Sequence, residues 1–211
     1  MWTGGEEWQG TVKLGQEDTN WVSFKYLGSV VSENGNLCAE VSNRIQCAWM
    51  NRRKSSGILC GRRISAKVKG KFYKSIVRLP MLYGAETWPI KKEQERRMEV
   101  AEMRMLRWMC GVTKRDKIRN ELIKGTVKVL EVSKKAQERR IKWFGHVMRR
   151  EEEHVCKKVM NMGLEGRRWR GRPKFRWKDK LLNDRKEKDL REQGVQDRGR
   201  WRRLTRNKDP I

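Results

Sequence analysis

Lys67, Lys71, Lys74 and Arg78 recur at steps of four, three and four residues, the spacing that aligns side chains on one helical face. A row of four cations can neutralise several phosphates of a nucleic-acid strand, and it serves equally well as the solvated face of an amphipathic helix. Arg139, Lys142 and Arg149, with His146 among them, form a second row. The third and densest run is Gly166–Lys180, where eight of fifteen residues are cationic and one is acidic. It contributes Arg167, Arg168, Arg170, Arg172, Lys174 and Arg176. Within it, Arg170-Gly171-Arg172-Pro173 has the form of an AT-hook core, in which glycine lets an extended backbone approach the floor of a narrow minor groove. General phosphate binding and a solvated linker account for the same four residues. Trp169, Phe175 and Trp177 interleave these cations and could stack on bases, although Trp177 also stands in register with Leu181 as a core residue.

Other chemistries find little support. His146, His154 and Cys156 make a loose His-x7-His-x-Cys set, which packed or solvated histidines explain better than a zinc site. Five cysteines, widely spaced and without a C-x-x-C pair, read as reduced thiols. No catalytic residue, metal or cofactor is assigned. Lys and Arg number 52 against 26 Asp and Glu, a net charge of +26, and residues 1–60 are neutral, so the whole excess follows Cys60. Self-repulsion of that size suits a polyanionic partner: RNA, DNA or an RNA–DNA hybrid. Uncharged runs such as Leu79–Ala85 fall far short of the roughly 18 residues needed to span a bilayer, and the amino terminus lacks the pattern of a signal peptide. An intracellular chain without a membrane partner is expected, with the nucleus as the place suited to a nucleic-acid binder.

The elements that must position these cations are mostly helical. Residues 1–20 are polar and show no sustained periodicity. From Val22 the sequence alternates, predicting a strand or strand pair that turns at Ser32-Glu33-Asn34-Gly35. Asn36 caps a helix carrying Leu37, Val41, Ile45 and Ala48 as its stripe. A second helix starts near Ser65, with Val68, Phe72, Ile76 and Leu79 predicted to be buried, the Lys67 row beside them and Pro80 as a stop. The apolar, proline-punctuated stretch Leu79–Pro89 is expected to plug the core. A third helix over 92–110 carries the widest apolar arc. A short basic helix and a longer one over 132–150 follow, then helical turns over 173–191 and 198–206 within an otherwise mobile basic tail. The fold expected is therefore mainly α: a short β element, a helical bundle and a flexible basic extension.

Four segments in order carry a resemblance: Phe24-Lys25-Tyr26-Leu27-Gly28-Ser29, Leu82-Tyr83-Gly84-Ala85-Glu86-Thr87-Trp88, Arg140-Ile141-Lys142-Trp143-Phe144-Gly145-His146-Val147, and Gly171-Arg172-Pro173 followed by Arg176-Trp177. Together they resemble the C-terminal third of reverse transcriptases of non-LTR (LINE-type) retrotransposons, especially the RTE-like group, over about residues 21–204. The resemblance implies a palm-edge remnant at 1–36, a thumb-like bundle at 37–150 and a basic extension at 151–211. It also implies primer-terminus positioning by Tyr26, Leu27 and Gly28. The family's aromatic-Ala-Asp-Asp turn, which binds two metal ions, lies upstream of the matching region, and no Asp-Asp pair occurs in this sequence. The endonuclease of the family is missing as well. The expectation is a nucleic-acid-binding fragment that does not polymerise alone. Alternatives are a subunit completing a polymerase core in trans, or a transposon remnant without function.

Overall fold

Four short strands come first in the computed structural model, which describes residues 11–14, 17–20, 23–32, 35–162 and 176–209. β1 (Thr11–Leu14) pairs antiparallel with β2 (Glu17–Asn20), and β3 (Ser23–Tyr26) pairs antiparallel with β4 (Ser29–Ser32), as two separate sheets. The first hairpin lies in the polar stretch where alternation gives no signal. The second turns at Leu27-Gly28, where both central residues adopt positive φ, 47° and 81°, in a two-residue loop whose twist suits paired strands, and the turn expected at Ser32–Gly35 follows it, with the Gly35 N–H donating to Ser32 O at 3.0 Å. Glycine enters that region freely, whereas leucine there is strained.

The helical body then follows the expected order. At the start of α1 (Cys38–Lys54), Asn36 Oδ1 accepts the Cys38 N–H at 3.0 Å, and Val41 and Ala48 are buried on the predicted stripe. α2 (Ser56–Leu59) follows directly. Next, α3 (Ala66–Phe72), a π-helical turn (Tyr73–Val77) and α4 (Arg78–Met81) form consecutive helical segments that run through Pro80. Proline has no N–H for the carbonyl four residues back, and here Asn51 Nδ2 donates to that carbonyl, Ile76 O, at 3.1 Å.

The buried face of α3–α4 differs from the predicted one. Gly70, Tyr73, Val77, Arg78 and Met81 point inward, whereas Val68 and Leu79 are half exposed and Phe72 and Ile76 only partly covered. Close packing selects this face: a Cβ on Gly70 would lie 2.9 Å from the Val127 carbonyl carbon, so only glycine lets α3 approach that point.

Residues 82–90 plug the core as expected, burying Leu82, Ala85, Trp88 and Ile90 around a 3-10 turn (Ala85–Thr87). Around them pack α5 (Lys92–Met109), α6 (Asn120–Val127) and α7 (Val132–Met148). α7 is shared by two apolar clusters. Its first turns join the large one, while Ile141 and Phe144 join a second formed with Leu181, Leu190, Val195 and Trp201. Of these, Leu181 lies on α9 (Trp177–Glu187), Leu190 just after it, Val195 on a 3-10 turn (Glu192–Val195) and Trp201 on α10 (Arg198–Thr205), and α8 (Val155–Asn161) precedes them.

The helical turns expected over 173–191 and 198–206 form as α9 and α10, but they are not loose: Leu181 and Trp201 supply an apolar face that folds onto α7. The chain is mainly helical, with short antiparallel hairpins ahead of the helices. Among the described residues no helix is long and apolar enough to cross a membrane.

Candidate nucleic-acid interface

The helical row opened by Lys67 divides into three. Lys67 and Lys71 are exposed and enter no ion pair among the described residues. Lys74 is half-buried, donating to Lys128 O at 3.1 Å and to Asp209 Oδ2 at 3.1 Å. Burial alone would raise the Asp209 carboxyl, but the Leu130 amide and Lys74 more than offset it and hold it below its ordinary value. Arg78 does not reach the surface at all. It is 3% exposed, and its Nε and NH2 donate to Glu102 Oε1 at 3.1 and 2.6 Å. Its assignment to phosphate contact is corrected accordingly: a buried guanidinium held by a buried carboxylate is a structural pair.

Glu102 is the centre of that arrangement. Besides Arg78, its Oε1 accepts the Tyr73 hydroxyl at 3.2 Å, and its Oε2 accepts the Val132 N–H at the start of α7 at 2.9 Å. Burial, with Glu102 beside it, pushes the Tyr73 hydroxyl well above its ordinary pKa, so Tyr73 remains a donor. One carboxylate thereby ties three elements together: the π-helical turn, α4 and α7.

On α7, Arg139 is half-buried, with NH1 donating to Leu82 O at 2.8 Å, and Lys142 pairs with Glu138 while staying partly open to solvent. Arg149 donates to Val195 O at 2.8 Å. Burial and the Arg198 guanidinium both lower the Arg149 pKa. The exposed His146 nearby is also lowered, by burial and then by Arg150, Arg149, His154 and Arg198. The positive charges that add to burial at both groups mark a cationic patch at the end of α7. Arg176 is exposed at the start of α9. Arg167, Arg168, Arg170, Arg172 and Lys174 lie outside the described residues.

Tyr26, Leu27 and Gly28 sit together on the β3–β4 turn, where Tyr26 and Leu27 are 63% and 76% exposed. The hairpin is anchored by α1. Glu40 accepts the Val30 N–H at 2.5 Å and Arg44 Nε at 2.7 Å, Arg44 NH2 donates to Ser29 Oγ at 2.7 Å, and Asn43 Nδ2 donates to Gly28 O at 3.1 Å.

A further set of cations escaped the sequence patterns. Arg96, Arg97 and Arg104 line a cleft of about 440 Å³ between α1 and α5, with Trp49 on its wall. The eight-residue step from Arg96 to Arg104 is a helical repeat in the sequence, but the wide apolar arc of the same helix masks it.

Residues 82–88, one of the segments that carry the resemblance, are met from α1, from α7 and by Trp177 of α9. Arg44, bonded to Ser29, places its guanidinium carbon 4.5 Å from the Tyr83 ring centre. Arg139 reaches Leu82 from α7, and Trp177 Nε1 donates to Glu86 O at 2.8 Å. Trp177 also meets Trp143 edge to face at 5.3 Å. At least part of what makes these segments recognisable is therefore mutual packing.

The chain is similar to a transposon-derived protein. That relative, from Caenorhabditis elegans and described as uncharacterized, is 24% identical over 174 residues, which covers 76% of this chain and 59% of the relative. The chain thus spans less than two thirds of the relative's length. No family model and no solved structure matches.

Among the described residues, the buried cations are Arg44, Arg78, Arg140 and Lys157, and the buried acids are Glu40, Glu102, Glu138 and Asp184. Four cancel four, so the excess of +26 is carried by residues outside the described core.

Proposed function

We propose that this chain binds nucleic acid electrostatically, with little sequence selectivity, as the thumb and basic-extension part of a non-LTR retrotransposon reverse transcriptase. The observation that carries this reading is the charge balance: interior charges cancel, leaving an uncompensated cationic exterior that a phosphate backbone would neutralise. Similarity to a transposon-derived protein supports a transposon origin, and the four ordered segments support the narrower family. Lys67, Lys71, Lys142, Arg149, Arg176 and the cations of 167–174 are the proposed contacts, joined by Arg96 and Arg104. Without the Asp-Asp pair with which the family holds two metal ions, the chain is not expected to polymerise on its own.

The test is affinity for duplex DNA and for RNA as a function of salt. With roughly six to eight phosphates engaged, log K should fall against log salt with a slope of about −5 to −7 on duplex DNA. A flat response defeats the proposal.

A second reading is favoured by one feature, the exposure of Tyr26, Leu27 and Val31 on the β3–β4 hairpin. Such a surface suits contact with a polymerase core supplied in trans. It predicts primer extension when that core is added, and none with either part alone.

A further inference from the structure

A second cleft, of about 640 Å³, opens between α1 and the α3–α4 helical segments, close to the β3–β4 hairpin. Its walls combine two kinds of chemistry. Ile76, Leu79 and Pro80 form an apolar ledge, and Leu79 is left 49% exposed by the inward turn of Tyr73, Val77 and Met81. Arg44 and Arg139 bring positive charge to the same lining, and Tyr83 supplies its aromatic ring.

Tyr83 is 52% exposed although the Arg44 guanidinium lies over its ring. Arg44 itself is fixed by Glu40 and Ser29, so the cation holds one face of the ring in place and the other face is open for a flat partner. Arg139 spends NH1 on Leu82 O, which orients the guanidinium and leaves its remaining donors available. An oriented aromatic, an apolar ledge and a tethered guanidinium within one cleft are the parts needed to stack a base and hold the adjoining phosphate. A paired base cannot enter, since both of its faces are already covered by neighbours in the duplex.

We propose that this cleft accepts an unpaired nucleotide of a single strand, with the base stacked on Tyr83 beside Leu79 and the phosphate on Arg139. The inference rests on the nucleic-acid-binding reading above and adds a preference for single-stranded substrate at a defined place. Neither Tyr83 nor Leu79 carries charge, so the stacking contributes affinity that salt does not remove, beside the salt-dependent phosphate contact to Arg139.

The experiment measures binding of the full chain to a mixed-sequence single-stranded oligonucleotide and to a duplex of the same length, across salt concentrations. Tyr83→Ala should weaken single-strand binding roughly 5- to 100-fold with an unchanged salt slope, as expected for loss of one stacked base. Duplex binding should stay within about twofold, and Tyr83→Phe should retain wild-type affinity. Because Tyr83→Ala could disturb the 82–88 turn, photocrosslinking of the unaltered protein to a 5-iodouracil single strand provides a second readout. The adduct should map to Tyr83. Equal losses on single strand and duplex, or adducts only elsewhere, overturn the inference. Steep salt-dependent binding that Tyr83→Ala leaves intact also overturns it, while the broader proposal survives. Failure of the unaltered chain to bind either substrate at low salt removes both.

Discussion

Trp201 packs directly over the backbone of Gly145: a Cβ at that glycine would lie 2.5 Å from the indole Cδ1, and the indole Nε1 donates to Ile141 O at 3.1 Å. The contact docks α10 on α7 and closes the second apolar cluster around Phe144, whose ring centre lies 6.2 Å from that of Trp201. Gly145→Ala should therefore cost about 1–3 kcal/mol through overpacking. Trp201→Ala should cost roughly 3–5 kcal/mol by emptying the site. Urea unfolding midpoints measure both, and the double variant should lose less than the sum, because either change alone already displaces α10.

Glu102 holds Tyr73, Arg78 and the Val132 amide in a nearly dry interior, so its removal strands a buried cation. Glu102→Ala should destabilise by about 3–5 kcal/mol. Arg78→Met, which removes the opposite charge, should also destabilise, but the pair Glu102→Leu/Arg78→Met should recover a substantial part of the loss. Thermal melts of the two single variants and the double variant decide this. Strict additivity would mean that the two side chains do not act as a pair.

The same pair shows where the sequence stops being legible. Apolar periodicity located α1, α5 and α7 and placed Val41 and Ala48 in the core, where both are buried. It failed on α3–α4, where the interior is set by a glycine contact and by Tyr73 and Arg78 turning toward a carboxylate 24 residues or more away. Spacing cannot distinguish a cation that faces solvent from one that a distant acid draws inward. The hairpin turn at Leu27-Gly28 was hidden for a different reason: its first central residue is a leucine at positive φ, where a glycine or asparagine is usual, so Gly28 alone marks it. Of the cations expected to face the strand, Lys67 and Lys71 are exposed, whereas Lys74 and Arg139 each give a donor to a backbone carbonyl, leaving Arg139 with its other donors.

That division predicts unequal effects within one row. Lys67→Ala and Lys71→Ala together should leave the melting temperature nearly unchanged and reduce the salt slope for duplex DNA by up to about 2. Arg96→Ala/Arg104→Ala should behave likewise if the α1–α5 cleft also faces the strand. Arg78→Ala should instead lower stability and alter binding only through unfolding. Anisotropy titrations at several salt concentrations, paired with melts, separate the two classes. An Arg78 variant that stays fully folded and loses affinity would contradict the buried assignment.

His146 offers a direct probe of the cationic surface formed by Arg149, Arg150 and Arg198. In the free protein its pKa is lowered by burial and then by these neighbouring positive charges, which disfavour the imidazolium. A phosphate backbone bound there would offset that repulsion and raise the pKa. Linkage then requires proton uptake on binding. The added affinity is present when pH is below the bound-state pKa, grows as pH falls toward the lowered free-state value, and fades as pH rises past the bound one. NMR titration of the His146 ring protons should show an upward shift in saturating duplex DNA at low salt, and His146→Gln should remove the matching pH dependence of affinity between about pH 5 and 7. An unchanged His146 titration in a saturated complex would place the bound strand away from the end of α7, leaving Lys67, Lys71 and the α1–α5 arginines to carry it.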